Sequence, residues 1–246
     1  SEDHTHKKMA CGDKKALPKV TILDPELTLS LPSAVTACTG VDALAHALES
    51  AVTTKRNENS IRHSQFAFNL IHENLPSVFE NPDDLESRGK VLLGASHAGA
   101  AIERSMLGAA HSMANPLTAS RGLVHGMAVG MVLPGVMKFN ALDSNTKSIY
   151  AEVSRSSGLA SPASSDQEAT QFLIARVNRI LELAKFPSSL DEFGFTQTDI
   201  QSLARGAFEQ WTANFNPRPV TLQDFEKLYS FLFSSSPCES QSIQAS

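Results

Sequence analysis

The sequence predicts a mainly α fold, with one short strand ahead of a run of helices. Three observations carry this. Apolar residues recur at helical spacing in successive segments from Pro32 onward. Ser33 and the run Thr221-Leu-Gln-Asp stand where helix N-caps would fall. Only Lys19-Val-Thr-Ile-Leu23 is rich in β-branched residues at strand length, and Asp24-Pro25 stops it.

One strand cannot stand alone, so its sheet is either missing from this chain or supplied by another. The helices follow in order. Ser33 can cap a helix from Ala34 to about Thr54, and a second runs from Ile61 to about Phe79 with Phe66, Leu70 and Ile71 at helical spacing. Leu85 to about Asn115 is a proline-free stretch of Ala, Gly and Leu, which suits one long buried helix packed closely against its neighbours. Val124 to Phe139 is apolar, with Pro134 as a kink site. Asn145 to Ser156, Asp166 to about Lys185, Thr196 to Ala207 and Thr221 to Phe233 complete the set. Residues 234–246 are Ser/Gln-rich and are expected to fray as a flexible tail.

Composition narrows the functional classes. The chain has 246 residues, 41% apolar and 19% charged, which is ordinary for a globular protein and excludes a disordered one. Lys and Arg number 21 against 26 Asp and Glu, for a net charge of −5, which argues against nucleic acid as the main partner. Cys11, Cys38 and Cys238 are few and scattered, which excludes a disulfide scaffold and fits a reducing compartment. No apolar run reaches the roughly 20 residues needed to cross a bilayer. Ser1 to Lys8 shows no signal-peptide pattern. The expected setting is the cytoplasm, with no membrane partner.

Eight histidines are present. His4, His6, His63 and His72 read as surface residues and His97 as a core histidine with a satisfied ring. His46, His111 and His125 sit among small apolar residues, where an imidazole needs a partner. Asp42 and His46, four apart, share a helix face and can grip a divalent cation or simply hydrogen-bond each other. His111, at the end of the long helix, and His125, at the start of the next, are separated by one short connection that can bring the rings together. One carboxylate and three imidazoles suit Fe²⁺ or Zn²⁺ better than Mg²⁺ or Ca²⁺. Three separate core histidines, each bonded to a backbone carbonyl, fit the spacing equally well.

Four segments carry a resemblance. Leu23-Asp-Pro-Glu-Leu-Thr-Leu-Ser-Leu-Pro32, Thr39-Gly-Val-Asp-Ala-Leu-Ala-His46, Leu107-Gly-Ala-Ala-His111 and Gly122-Leu-Val-His-Gly126 resemble the iron-containing (group III) alcohol dehydrogenases. The likeness runs in order from about Lys8 to Leu232. It implies the helical, metal-binding domain of a two-domain dehydrogenase: residues 1–24 as a remnant of the N-terminal α/β nucleotide-binding domain, and 25–233 as the all-helical domain.

The family's metal ligands would fall on Asp42, His46, His111 and His125, holding Fe²⁺ or Zn²⁺. The resemblance implies an NAD- or NADP-linked reaction on a small alcohol or aldehyde, with Lys8 and Val35 on the cofactor side and His111, Asn115 and His125 at the reacting centre. Relatives commonly form homodimers or larger homo-oligomers. Two positions depart from the pattern. Asn115 replaces a common second histidine one turn after His111, which puts a proton relay in doubt. Arg104 replaces a frequent Asn, two residues beyond Ile102, where Phe is common. On the substrate side, Ile102 and Arg104 would set the pocket, and an arginine there favours an anion; a surface arginine or an inter-domain salt bridge accounts for it as well.

The family's Gly-rich pyrophosphate loop has no counterpart in these residues, so they cannot build a complete nicotinamide site. The expectation is a piece of a longer enzyme. Two rivals stand beside it: a metal-independent reductase of the same fold acting on an anionic substrate such as maleylacetate, and a non-catalytic helical domain that binds metal.

Overall fold

The computed structural model describes Lys15 and residues 18–233. Among them are nine α-helices and no strand. These are α1 (Ser33–Val52), α2 (Glu58–Glu80), α3 (Leu85–Arg104), α4 (Ala109–Arg121), α5 (His125–Asn140), α6 (Ser144–Ser156), α7 (Asp166–Leu183), α8 (Ile200–Phe208) and α9 (Leu222–Ser230). Short 3₁₀ turns at Pro25–Thr28, Leu190–Phe193, Gln197–Asp199 and Trp211–Phe215 join or precede them.

The expected strand does not form. Residues 19–23 are irregular, with Val20 79% and Ile22 85% exposed. Nothing among the described residues offers a second strand to pair with, which is the physical reason.

Helix α1 is the axis of the domain and packs against α2, α3 and α5. Its sequence is apolar nearly all round, as a central helix must be. From Ala37 to Val52 every residue is buried except Thr39, Asp42 and His46. Around it, Leu44, Leu48, Phe68, Ile71, Met113 and Leu133 form part of one continuous core. The start of α1 differs from expectation: Pro32, not Ser33, is the N-cap, and it makes no side-chain cap bond. The Pro32 carbonyl instead accepts from Val35 and Thr36 N–H. Helix α2 is capped by Asn57, whose side chain accepts from Ser60 N–H.

The single long helix expected over 85–115 is two helices. The chain breaks over Ser105 to Gly108 and restarts as α4. At the break the chain meets two side chains from elsewhere in the fold. A Cβ placed on Gly108 would lie 2.9 Å from Asn216 Oδ1 and 3.1 Å from Glu49 Oε1, so the backbone passes too close to both for any side chain. His111 therefore stands in the first turn of α4 rather than at the end of a long helix, and α4 itself lies between it and His125. At the far end, α9 is tied to α4 by Tyr229 Oη, which donates to the Met113 carbonyl at 2.6 Å.

Two further histidines depart from expectation. His72 is 3% exposed and stacks on Phe68 with ring centroids 4.7 Å apart. His63 and His97 pair across α2 and α3, their Nδ1 atoms 2.8 Å apart. No helix among the described residues is long and apolar enough to cross a membrane.

Candidate metal centre

Helix α1 presents Asp42, His46 and Glu49 at positions i, i+4 and i+7, one face of a 3.6-residue helix. His111 enters from the first turn of α4, and His125 is the first residue of α5. The three imidazoles converge on one carboxylate oxygen. Asp42 Oδ1 lies 3.3 Å from His111 Nε2, 3.6 Å from His46 Nε2 and 3.7 Å from His125 Nε2. One donor atom each from Asp42, His111 and His125 falls within 4.8 Å of the others. The His46 and His111 rings stack at 4.8 Å, and those of His111 and His125 lie 5.3 Å apart.

This packing leaves polar atoms unsatisfied. Asp42 Oδ1 and His111 Nε2 are both buried, and beyond their own 3.3 Å contact neither finds a hydrogen-bond partner. Buried polar atoms without partners are rare in folded proteins and call for an explanation. A cation between them satisfies both at once. The donor chemistry of three nitrogens and one carboxylate oxygen fits Fe²⁺ or Zn²⁺.

Electrostatics points the same way. Burial works against ionisation of Asp42, yet the surrounding imidazoles hold its carboxyl well below the usual carboxylate range. Burial likewise works against protonation of His111, but the Asp42 and Glu49 carboxylates override it and push the ring up to about 9. Asp42 is thus held ionised, and the proton on His111 is held by the same two carboxylates beside which a cation would replace it.

Glu49 is the residue that sequence reasoning missed. It is 4% exposed. Its Oε2 lies 2.5 Å from His111 Nδ1, and its Oε1 accepts from Ala110 N–H at 2.7 Å. A signal was present: an acid on the same helix face as Asp42 and His46, inside a run of Ala and Leu. Asn216, after the Trp211–Phe215 turn, holds the same corner. Its Oδ1 accepts from Ala109 N–H at 3.1 Å, and its amide donates to Asn140 Oδ1 at 2.7 Å.

The remaining candidates lie outside the cluster. Asn115, one turn beyond His111, donates to Gln210 Oε1 at 2.9 Å. It lines a groove of about 550 Å³ between α4 and α8 that contains no member of the Asp/His cluster. Val35 lies in the first turn of α1, 40% exposed and seven residues before Asp42. Ile102 is half-buried near the end of α3. Arg104 ends that helix, exposed, with Nη1 3.2 Å from the Ala100 carbonyl and 3.5 Å from Glu103. Lys8 lies outside the described residues.

Comparison with known proteins places this geometry in a family. Residues 36–233 match the model of the Fe-containing alcohol dehydrogenase family, C-terminal. The chain is 31% identical to the NAD-dependent methanol dehydrogenase of Bacillus methanolicus, over 90% of this chain and 58% of that protein. It is 30% identical to the lactaldehyde reductase of Escherichia coli (strain K12), over 93% of this chain and 59% of that one. Among solved structures, a 1,3-propanediol oxidoreductase superposes with a TM-score of 0.82 at 28% identity, covering 85% of this chain and 55% of the other. An alcohol dehydrogenase from Oenococcus oeni gives 0.81 at 28% identity, covering 85% and 54%. The chain spans less than two thirds of the length of these relatives. It belongs to the iron-containing alcohol dehydrogenase family, and what it matches is that family's C-terminal helical domain.

Proposed function

We propose that this chain supplies the metal site of an alcohol dehydrogenase that moves hydride between a small alcohol or aldehyde and NAD or NADP. One observation supports the reading most: the Nε2 atoms of His46, His111 and His125 lie 3.6, 3.3 and 3.7 Å from Asp42 Oδ1, and one donor atom each from Asp42, His111 and His125 falls within 4.8 Å of the others. A divalent cation, Fe²⁺ or Zn²⁺, held by these four side chains supplies Lewis-acid polarisation of an alcohol or carbonyl oxygen.

The chain's own part is to hold and to orient. Asp42 contributes the charge and the three histidines contribute nitrogen donors. Apart from Thr39, only Asp42 and His46 interrupt the buried run of α1, so the face they share is open on one side. Val35, one helical repeat before Asp42 on that face, and Lys8 belong to the nucleotide side in this reading. Asn115 is assigned to the reacting centre, and Ile102 and Arg104 to the substrate side, by the family resemblance alone. Residues 25–233 are the metal-binding domain in this reading; the expected tail over 234–246 and most of 1–17 lie outside the described residues. The setting is cytoplasmic and the assembly a homo-oligomer. The two lead relatives, a methanol dehydrogenase and a lactaldehyde reductase, support a small oxygenated substrate. The rival reading of an anionic substrate finds less support, because these relatives are named for an alcohol and an aldehyde.

Elemental analysis of the purified protein tests the reading. The expected result is close to one divalent metal per chain, lost in Asp42→Ala and in His125→Ala. Full metal occupancy in both variants would refute the ligand assignment.

A further inference from the structure

We infer that Glu49 is a positioning residue for the metal centre: its buried carboxylate commits His111 Nδ1 as a hydrogen-bond donor and fixes the start of α4, so that Nε2 alone is presented to the cation. The inference rests on the metal reading above and deepens it.

The geometry carries the argument. An ionised carboxylate only accepts hydrogen bonds. Glu49 Oε2, 2.5 Å from His111 Nδ1, therefore requires the proton on that nitrogen. Glu49 Oε1 takes the Ala110 N–H at 2.7 Å, one residue earlier in the same helical turn. The two oxygens thus lock the ring and the backbone that carries it in one clasp. An acid at a helix N-terminus is favourable in itself, because the first-turn N–H groups have no intrahelical acceptors. Gly108 lets this approach occur, since a Cβ there would stand 3.1 Å from Glu49 Oε1.

Burial makes the commitment strict. Glu49 is 4% exposed and His111 4%, so water cannot replace either partner. Nε2 is left facing Asp42 Oδ1 at 3.3 Å and has no other partner. A carboxylate on the far nitrogen of a ligating imidazole fixes its tautomer and orientation and raises its basicity as a donor. Glu49 and Asp42 also lie on one face of α1, so a single helix sets both the first ligand and the group that aims another.

Co²⁺ titration into the metal-depleted chain, read by visible absorption, tests this. Glu49→Gln keeps the shape and loses the charge. The expected result is a 10- to 100-fold weaker Co²⁺ affinity on the pH plateau where His111 no longer carries a competing proton, with altered absorption bands, at unchanged helix content by circular dichroism. Glu49→Gln with wild-type affinity and spectrum, beside lost binding in His125→Ala, would overturn the inference and leave the metal reading standing. A wild-type chain that binds no Co²⁺ would sink both. Should Glu49→Gln fail to fold, ¹⁵N NMR of the Zn²⁺-loaded wild type decides: an exchange-protected Nδ1–H on His111 is expected, and a ring bound to metal through Nδ1 would refute the assignment.

Discussion

The carbonyl oxygen of Cys38 on α1 occupies the space beside Gly126 on α5: a Cβ built at Gly126 would lie 2.0 Å from it. No real Cβ approaches an oxygen so closely. The contact is backbone against backbone, so no flexible side chain can move aside. It falls one residue after His125 and four before Asp42, and so it sets how α5 meets α1 at the proposed metal site.

Gly126→Ala is therefore expected to force the two helices apart. Overpacking of this kind typically costs about 1–3 kcal/mol, and a rigid backbone neighbour places it at the upper end or beyond. His125 should move with α5, so metal content should fall together with stability. Thermal unfolding and elemental analysis on the same sample check both. An unshifted melting temperature would show that α5 slides at no cost.

Asn216 makes a second prediction. It is 3% exposed and accepts from Ala109 N–H, donates to Asn140 and donates to the Arg218 carbonyl at 2.7 Å. Removing it leaves several buried groups without partners. An unsatisfied buried donor costs about 1–3 kcal/mol, so Asn216→Ala should destabilise the fold by roughly 2–3 kcal/mol in denaturant titration. Adding Asn140→Ala should cost less than the sum of the two single changes, because the two amides satisfy each other.

His72 predicts acid sensitivity away from the metal site. The ring is buried against Phe68, and neither ring nitrogen has a hydrogen-bond partner. Burial first, and the nearby Arg176 charge second, push its pKa down to about 4 from an ordinary 6.5. The unfolded chain takes up the proton at higher pH than the folded one. His72 thus costs no stability above about pH 6.5, and stability is lost as pH falls from there towards about 4, by at most roughly 3 kcal/mol. His72→Leu should flatten that part of the pH–stability curve. A curve of unchanged slope between pH 6.5 and 4 would contradict the assignment.

Much of this was legible in the residues and some of it was not. The helices announced themselves by apolar period, because each buries a stripe that sequence spacing records. Asp42 and His46 were legible for the same reason, as polar residues on an otherwise apolar helix. The break at Ser105–Gly108 was not: the groups packed against Gly108, Asn216 and Glu49, are distant in the chain and close in space. Helix propensity within 85–115 sees neither. Glu49 was passed over because a glutamate in a helix is ordinary until its burial is known. The β-branched composition of 19–23 reports a preference, while a strand needs a partner, and none stands beside it among the described residues. His72 looks like a surface residue beside Glu73 and Asn74, but it lies on the buried face of α2 that it shares with Phe68.

The last prediction concerns protons released by metal. Burial alone would keep His111 neutral, but the carboxylates of Asp42 and Glu49 overcome it and raise the ring to about 9. Without metal, His111 is then protonated on both nitrogens at neutral pH. A cation can take Nε2 only after that proton leaves, so metal and proton compete for one atom. Apparent affinity should fall about tenfold for each pH unit below about 9, and level off above it, as far as His111 alone governs it. Calorimetric titration of Zn²⁺ at pH 7, repeated in buffers of different ionisation enthalpy, should report release of close to one proton per metal from this ring. Replacing Glu49 by Gln removes one of the two charges that hold the proton, so the levelling point should move to lower pH. Binding that is independent of pH between 6 and 9 would show that His111 Nε2 is not a ligand.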